Sequence, residues 1–215
     1  MIVCEFAHTK AYVFAEDVRL AVQEVCQATE PELRALLPAL PPRVELLVTA
    51  GPRVIPETGE TGSAVTPRLV VWAVDPKRPE GVESIVRSRL RHTLFHEFHH
   101  LVRGWVFYGS EPPESFMHGV VCEGLATAFE RDAAGSNPPW GEYAEDVESW
   151  VTELLSLPPS ASYNDWMFRH PDGRRWIGYR AGTFIADRAI QSSGLSAAKL
   201  AQTPTDEILR IAGVT

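Results

Sequence analysis

One segment constrains this chain more than any other. Between residues 82 and 102, Leu90, Leu94, Phe98 and Leu101 recur at helical spacing, and His96 and His100 fall elsewhere on the same helix. At about 100° per residue the two histidines are separated by about 40°. The apolar stripe lies about 120° to 200° away from His96. Such a helix needs a core to bury its stripe, and its other face brings two imidazoles together.

The segment His96-Glu97-Phe98-His99-His100 satisfies HExxH. Two imidazoles on one helical face can share a metal ion, and Glu97, about 100° from His96, can reach the rim of the same site as a general base without being a ligand. With seven histidines in the chain, random placement would produce an HExxH only about 0.02 times in this length. A catalytic zinc site normally takes three protein ligands and keeps one position open. The expected third ligand is Glu123, on the next helix expected, about 115 to 131, where the chain can turn and return antiparallel. His118 and Glu130 are its competitors. Glycine and histidine three and six residues after His100 would mark a different ligand set, but Arg103 and Val106 stand there. His92 and His99 flank the ligand face and are read as polar residues without chemistry, and Arg103 as a basic residue suited to a helix C-terminus.

Strand signals lie early. Ile2 to Phe6, VELLVT at 44–49 and RLVVWAV at 68–74 are short, apolar and β-branched. Gly51, Pro52, Pro56, Gly59 and Gly62 mark the stretch between the latter two as a loop. From Ala15 to about Leu37 the periodicity is helical, with Pro31 expected to start a second helix, and Pro38, Pro41 and Pro42 stop it. After Gly104 comes a connection containing Pro112 and Pro113, and further helices are expected over about 115–131, 141–155, 176–191 and 206–211. The expected class is α+β: a small N-terminal sheet packed on the HExxH helix, then a mainly helical portion. We expect one domain over 1–215 with two lobes, 1–104 and 105–215.

The net charge of −8 offers no attraction to nucleic acid or anionic lipid, and no apolar run is long enough to span a membrane. Glu5, His8 and Lys10 interrupt any secretory signal at the N-terminus, so a cytoplasmic protein is expected. Cys4, Cys26 and Cys122 form no CxxC pair and read as reduced, buried thiols.

LRHTLFHEFHH, VVCEGLATAFE and WIGYRAGTFIAD together resemble the bacterial predicted zinc-dependent proteases called domain of unknown function 2268, over roughly residues 45 to 210. The resemblance implies a zincin-like fold of the glutamate-ligand style, as in thermolysin. Zn²⁺ would be held by His96, His100 and the glutamate of EGLA, which is Glu123. Tyr179, with His170 as alternative, would be a hydrogen-bond donor to the oxyanion. The strand at 68–74 would be a sheet edge on which an extended peptide pairs. The expected reaction is hydrolysis of a peptide amide by metal-activated water with Glu97 as base, on a peptide or protein substrate. The alternatives are a noncatalytic zinc-bearing peptide- or protein-binding module, its metal closed off by His118 or Cys122, and a hydrolase of a nonpeptide amide.

Overall fold

In the computed structural model, which describes residues 1–108, 115–158 and 160–214, strands occupy only the first third of the chain and helices take over the remainder. The class is therefore α+β, with one four-stranded sheet. The chain divides into two units, Met1–Ser110 and Glu111–Thr215. The expected connection through Pro112 and Pro113 lies outside the described residues.

The first unit opens with β1 (Ile2–Phe6), crosses through α1 (Glu16–Leu36) and returns as β2 (Val44–Ala50), parallel to β1. A parallel return needs such a crossover, and the helix covers the sheet as it makes one. Val18, Ala21, Val22, Cys26 and Leu33 supply its buried face. Pro31 starts no second helix; it sits inside α1. Proline costs a helix the bond to the carbonyl four residues back, here Gln27, and both residues are exposed, so water can replace it.

The expected loop between the two inner strands is half strand. β3 (Glu60–Thr66) runs antiparallel to β4 (Leu69–Val74), which pairs on its other side with β2, in the order β1-β2-β4-β3. β4 is thus interior and cannot be the edge on which a peptide pairs. Its run LVVWAV, with Val70, Trp72 and Val74 buried, suits a strand flanked on both sides. ETGSAVT has no apolar alternation to announce β3.

The expected long helix is continuous but composite: α2 (Val82–Ile85), a π-helical turn (Val86–Leu90) and α3 (Arg91–Arg103). Leu90, Leu94, Phe98 and Leu101 are buried, as the periodicity required. Gly104, at φ 77°, ends α3 by donating its N–H to the carbonyls of His100 and Leu101, a left-handed cap that glycine adopts without strain.

The second unit contains α4 (Phe116–Ala134), α5 (Val147–Leu155), α6 (Tyr163–Met167), α7 (Ile177–Ser193), α8 (Ala197–Leu200) and α9 (Thr205–Ile211). The helix expected from 141 begins only at Val147, and α6 and α8 are too short to leave a period in the sequence. α4 is buried around its whole circumference from Gly119 to Glu130, as a helix at the centre of a bundle must be. It packs closely on α7 because glycine faces glycine. A Cβ on Gly124 would lie 2.0 Å from the Gly182 carbonyl carbon, and one on Gly182 would lie 2.2 Å from the Val120 oxygen. Among the described residues no helix is long and apolar enough to cross a membrane.

Candidate metal centre

The HExxH segment occupies the second half of α3, and every residue from Leu94 to Leu101 is buried. His96 is 8% and His100 4% exposed, their rings nearly perpendicular with centroids 4.7 Å apart. His99, expected to be a bystander on a polar flank, is wholly buried.

Glu97 has a seat prepared for it on β3. A Cβ on Gly62 would meet the Cγ and Oε1 of Glu97 at 2.7 Å and the Thr93 methyl at 2.4 Å. The absence of a side chain at Gly62 lets the strand backbone come up against the Glu97 side chain. Thr93 is fixed in turn, since its hydroxyl donates to Glu60 Oε2 at 2.8 Å, and the same oxygen accepts the Trp72 indole N–H at 2.8 Å. Glu60 is 4% exposed. A buried carboxylate is tolerable only with such partners, and these tie β3 and β4 to α3 one turn before Glu97. In the sequence Glu60 carries no visible role and Gly62 reads only as a loop marker. The available signal was a Glu-x-Gly pair inside a stretch too polar for an ordinary strand.

Glu123, in the middle of α4, is 7% exposed. Its neighbour Gly124 makes the contact with Gly182, so the interhelical packing fixes the backbone that carries the carboxylate. His96, His100 and Glu123 each offer a ligand atom, and these atoms lie within 4.8 Å of one another. The group so formed includes neither His118, Cys122 nor Glu130.

The donor set fits a zinc ion. Zn²⁺ takes imidazole nitrogen and carboxylate oxygen at roughly 2.0–2.2 Å, so tetrahedral donors stand about 3.4 Å apart, within reach of small side-chain adjustments. Two imidazoles and one carboxylate also make a donor set whose charge favours a cation.

The other candidates are more dispersed. Tyr179 lies in the first turn of α7 with its ring packed among Trp140, Phe168 and Trp176. Trp176, just before that helix, adopts a left-handed φ of 61°. A bulky residue holds this conformation only when its surroundings compel it, here by stacking on Trp140, Phe168 and Tyr179. Tyr163, not singled out in the sequence, stacks on Phe116 and Phe168. Burial, followed by the charges of Glu123 and Cys122, pushes its phenol up from the ordinary value. His170 pairs with Asp172 at 2.8 Å and packs on Trp166. His118 shares a hydrogen bond of 2.9 Å with Thr205.

No match was found among curated proteins or solved structures. The family model that does match covers residues 17–210, and with them the HExxH helix, Glu123 and the glycines of α4 and α7. The chain belongs to the family described as predicted Zn-dependent protease, domain of unknown function 2268.

Proposed function

We propose that this protein is a zincin-like metallopeptidase in which His96, His100 and Glu123 hold Zn²⁺ and Glu97 is the general base. The observation that carries the reading is the convergence of two buried imidazoles and one buried carboxylate within 4.8 Å, with the intervening glutamate of HExxH seated on a glycine of the sheet. Zinc, when bound, supplies Lewis acidity that acidifies water and polarises a carbonyl.

This chain's own residues do the remaining work. Glu97 accepts a proton as water attacks the amide carbon, then returns it to the departing nitrogen. Its burial against β3 limits the positions its carboxylate can take, which favours transfer along one path. Tyr179 donates a hydrogen bond to the oxyanion of the tetrahedral intermediate. The substrate backbone lies along β3 rather than β4. On that strand the carbonyls of Glu60 and Ala64 already accept N–H groups from Ile55 and Phe107, whereas that of Gly62 between them accepts only the short-range hydroxyls of Thr61 and Ser63 among the bonds observed. A peptide N–H at Gly62 would thus arrive beside Glu97.

The test compares the native chain with Glu97→Gln and His96→Ala on a peptide library, with zinc content measured in parallel. Glu97→Gln should retain zinc and lose turnover, while His96→Ala loses both. Unchanged turnover in Glu97→Gln refutes the assigned base.

A further inference from the structure

We propose that Cys4 and Cys26 form an oxidisable dithiol site that reacts with a small-molecule disulfide and closes to an intramolecular disulfide. The sequence, with no CxxC pair, places these cysteines far apart, where they read as reduced, buried thiols. The fold brings them together: Cys4 lies in the middle of β1 and Cys26 on the buried face of α1, with their sulfurs 3.6 Å apart and hydrogen-bonded. A disulfide requires about 2.05 Å, so the sulfurs must close by on the order of 1.5 Å, a movement within the range of side-chain rotation.

The two thiols are unequal in a way that suits sequential exchange. Cys4 is half-buried and can be reached from solvent, whereas Cys26 is 2% exposed. The hydrogen bond with Cys26 draws the Cys4 thiol down, against burial and the charge of Glu5. The same hydrogen bond and burial push Cys26 up. The Cys4 thiolate is therefore the entering nucleophile. It attacks one sulfur of the oxidant RSSR and releases RS⁻. Cys26 passes its proton to a thiolate or to solvent, attacks the Cys4 sulfur and expels the second RS⁻. In balance, two protein thiols and one RSSR give one protein disulfide and two RSH. The product would bolt β1 to the helix that covers it. This inference is independent of the hydrolytic reading, because neither cysteine belongs to the metal group.

The full chain, reduced and then equilibrated with glutathione disulfide and glutathione at several ratios, is acid-quenched, alkylated under denaturing conditions and mapped by mass spectrometry. Oxidation should leave one alkylated cysteine, Cys122, and join the Cys4 and Cys26 peptides. The intact mass before alkylation should fall by about 2 Da, and dithiothreitol should restore the reduced form. Cys26→Ser should stop at a glutathione adduct on Cys4, and Cys4→Ser should leave Cys26 unmodified. If Cys26→Ser does not fold, the native chain and Cys4→Ser decide. The proposal is overturned if all three cysteines remain alkylatable at every ratio. It is equally overturned if the native chain stops at the glutathione adduct, or if the bond links two chains.

Discussion

Replacing Gly62 by alanine isolates the seat of Glu97 from the metal ligands. The new Cβ would lie 2.4 Å from the Thr93 methyl and 2.7 Å from the Cγ and Oε1 of Glu97, where ordinary contact begins near 3.4 Å. The Thr93 methyl must therefore give by about 1.0 Å and Glu97 by about 0.7 Å unless the strand itself retreats. Thr93 is held by its bond to Glu60, so Glu97 takes much of the displacement. Misplacement of a catalytic group by about 1 Å costs roughly 10²-fold. For Gly62→Ala we expect kcat/KM to fall roughly tenfold to a hundredfold, or about 1.4–2.7 kcal/mol of transition-state stabilisation. The overpacking should cost about 1–3 kcal/mol of folding stability. Zinc stoichiometry should not change, since His96, His100 and Glu123 are untouched. Kinetics on a peptide that the native chain cleaves, with elemental analysis of the same samples, measures both quantities. Thr93→Ser removes the nearest clashing atom and keeps the hydroxyl, so the double variant should recover part of the lost rate. Undiminished kcat/KM in Gly62→Ala, or a loss that follows zinc content, refutes the reasoning.

Three further outcomes follow from the geometry. Gly124→Ala forces a Cβ to within 2.0 Å of the α7 backbone, so a lower urea midpoint and weaker zinc retention are expected, with a stability loss of about 3 kcal/mol or somewhat less; a native midpoint contradicts this. Tyr179→Phe should lower kcat by about 10²-fold with little change in KM, whereas Tyr163→Phe should stay within severalfold of native; the reverse result would transfer the oxyanion role to Tyr163. Glu60→Leu strips the Trp72 indole of its acceptor and leaves the Thr93 hydroxyl only the longer bond to the Arg89 carbonyl, and thermal denaturation should show a loss of about 1–3 kcal/mol; an unchanged Tm would show that this carboxylate does not bind the sheet to α3.

What the sequence discloses is what local periodicity can encode. The apolar stripe of α3 and its two histidines obey one helical period, so helix, buried face and imidazole pair are all legible before folding. Glu123 is legible as a candidate because the spacing and the EGLA resemblance agree, but its proximity to the imidazoles is a tertiary fact. β3 is hidden because edge strands need no apolar alternation and the side chains it meets on α3, Thr93 and Glu97, are thirty or more positions away. The interior place of β4 agrees with its unbroken apolar run, and it is the resemblance to edge-binding peptidases that misleads there. Pro31 misleads because its exposed side of α1 can lose a backbone bond to water. The glycines of α4 and α7 carry no chemistry, and only the contact itself shows why Gly124 and Gly182 have no side chain.

Zinc-edge anomalous diffraction from crystals of the purified protein decides whether His96, His100 and Glu123 bind one metal ion together. A single strong peak is expected roughly 2.0–2.2 Å from a nitrogen of each histidine and an oxygen of Glu123. A zinc peak bound by other residues, or full zinc binding by a Glu123→Ala variant, would contradict it.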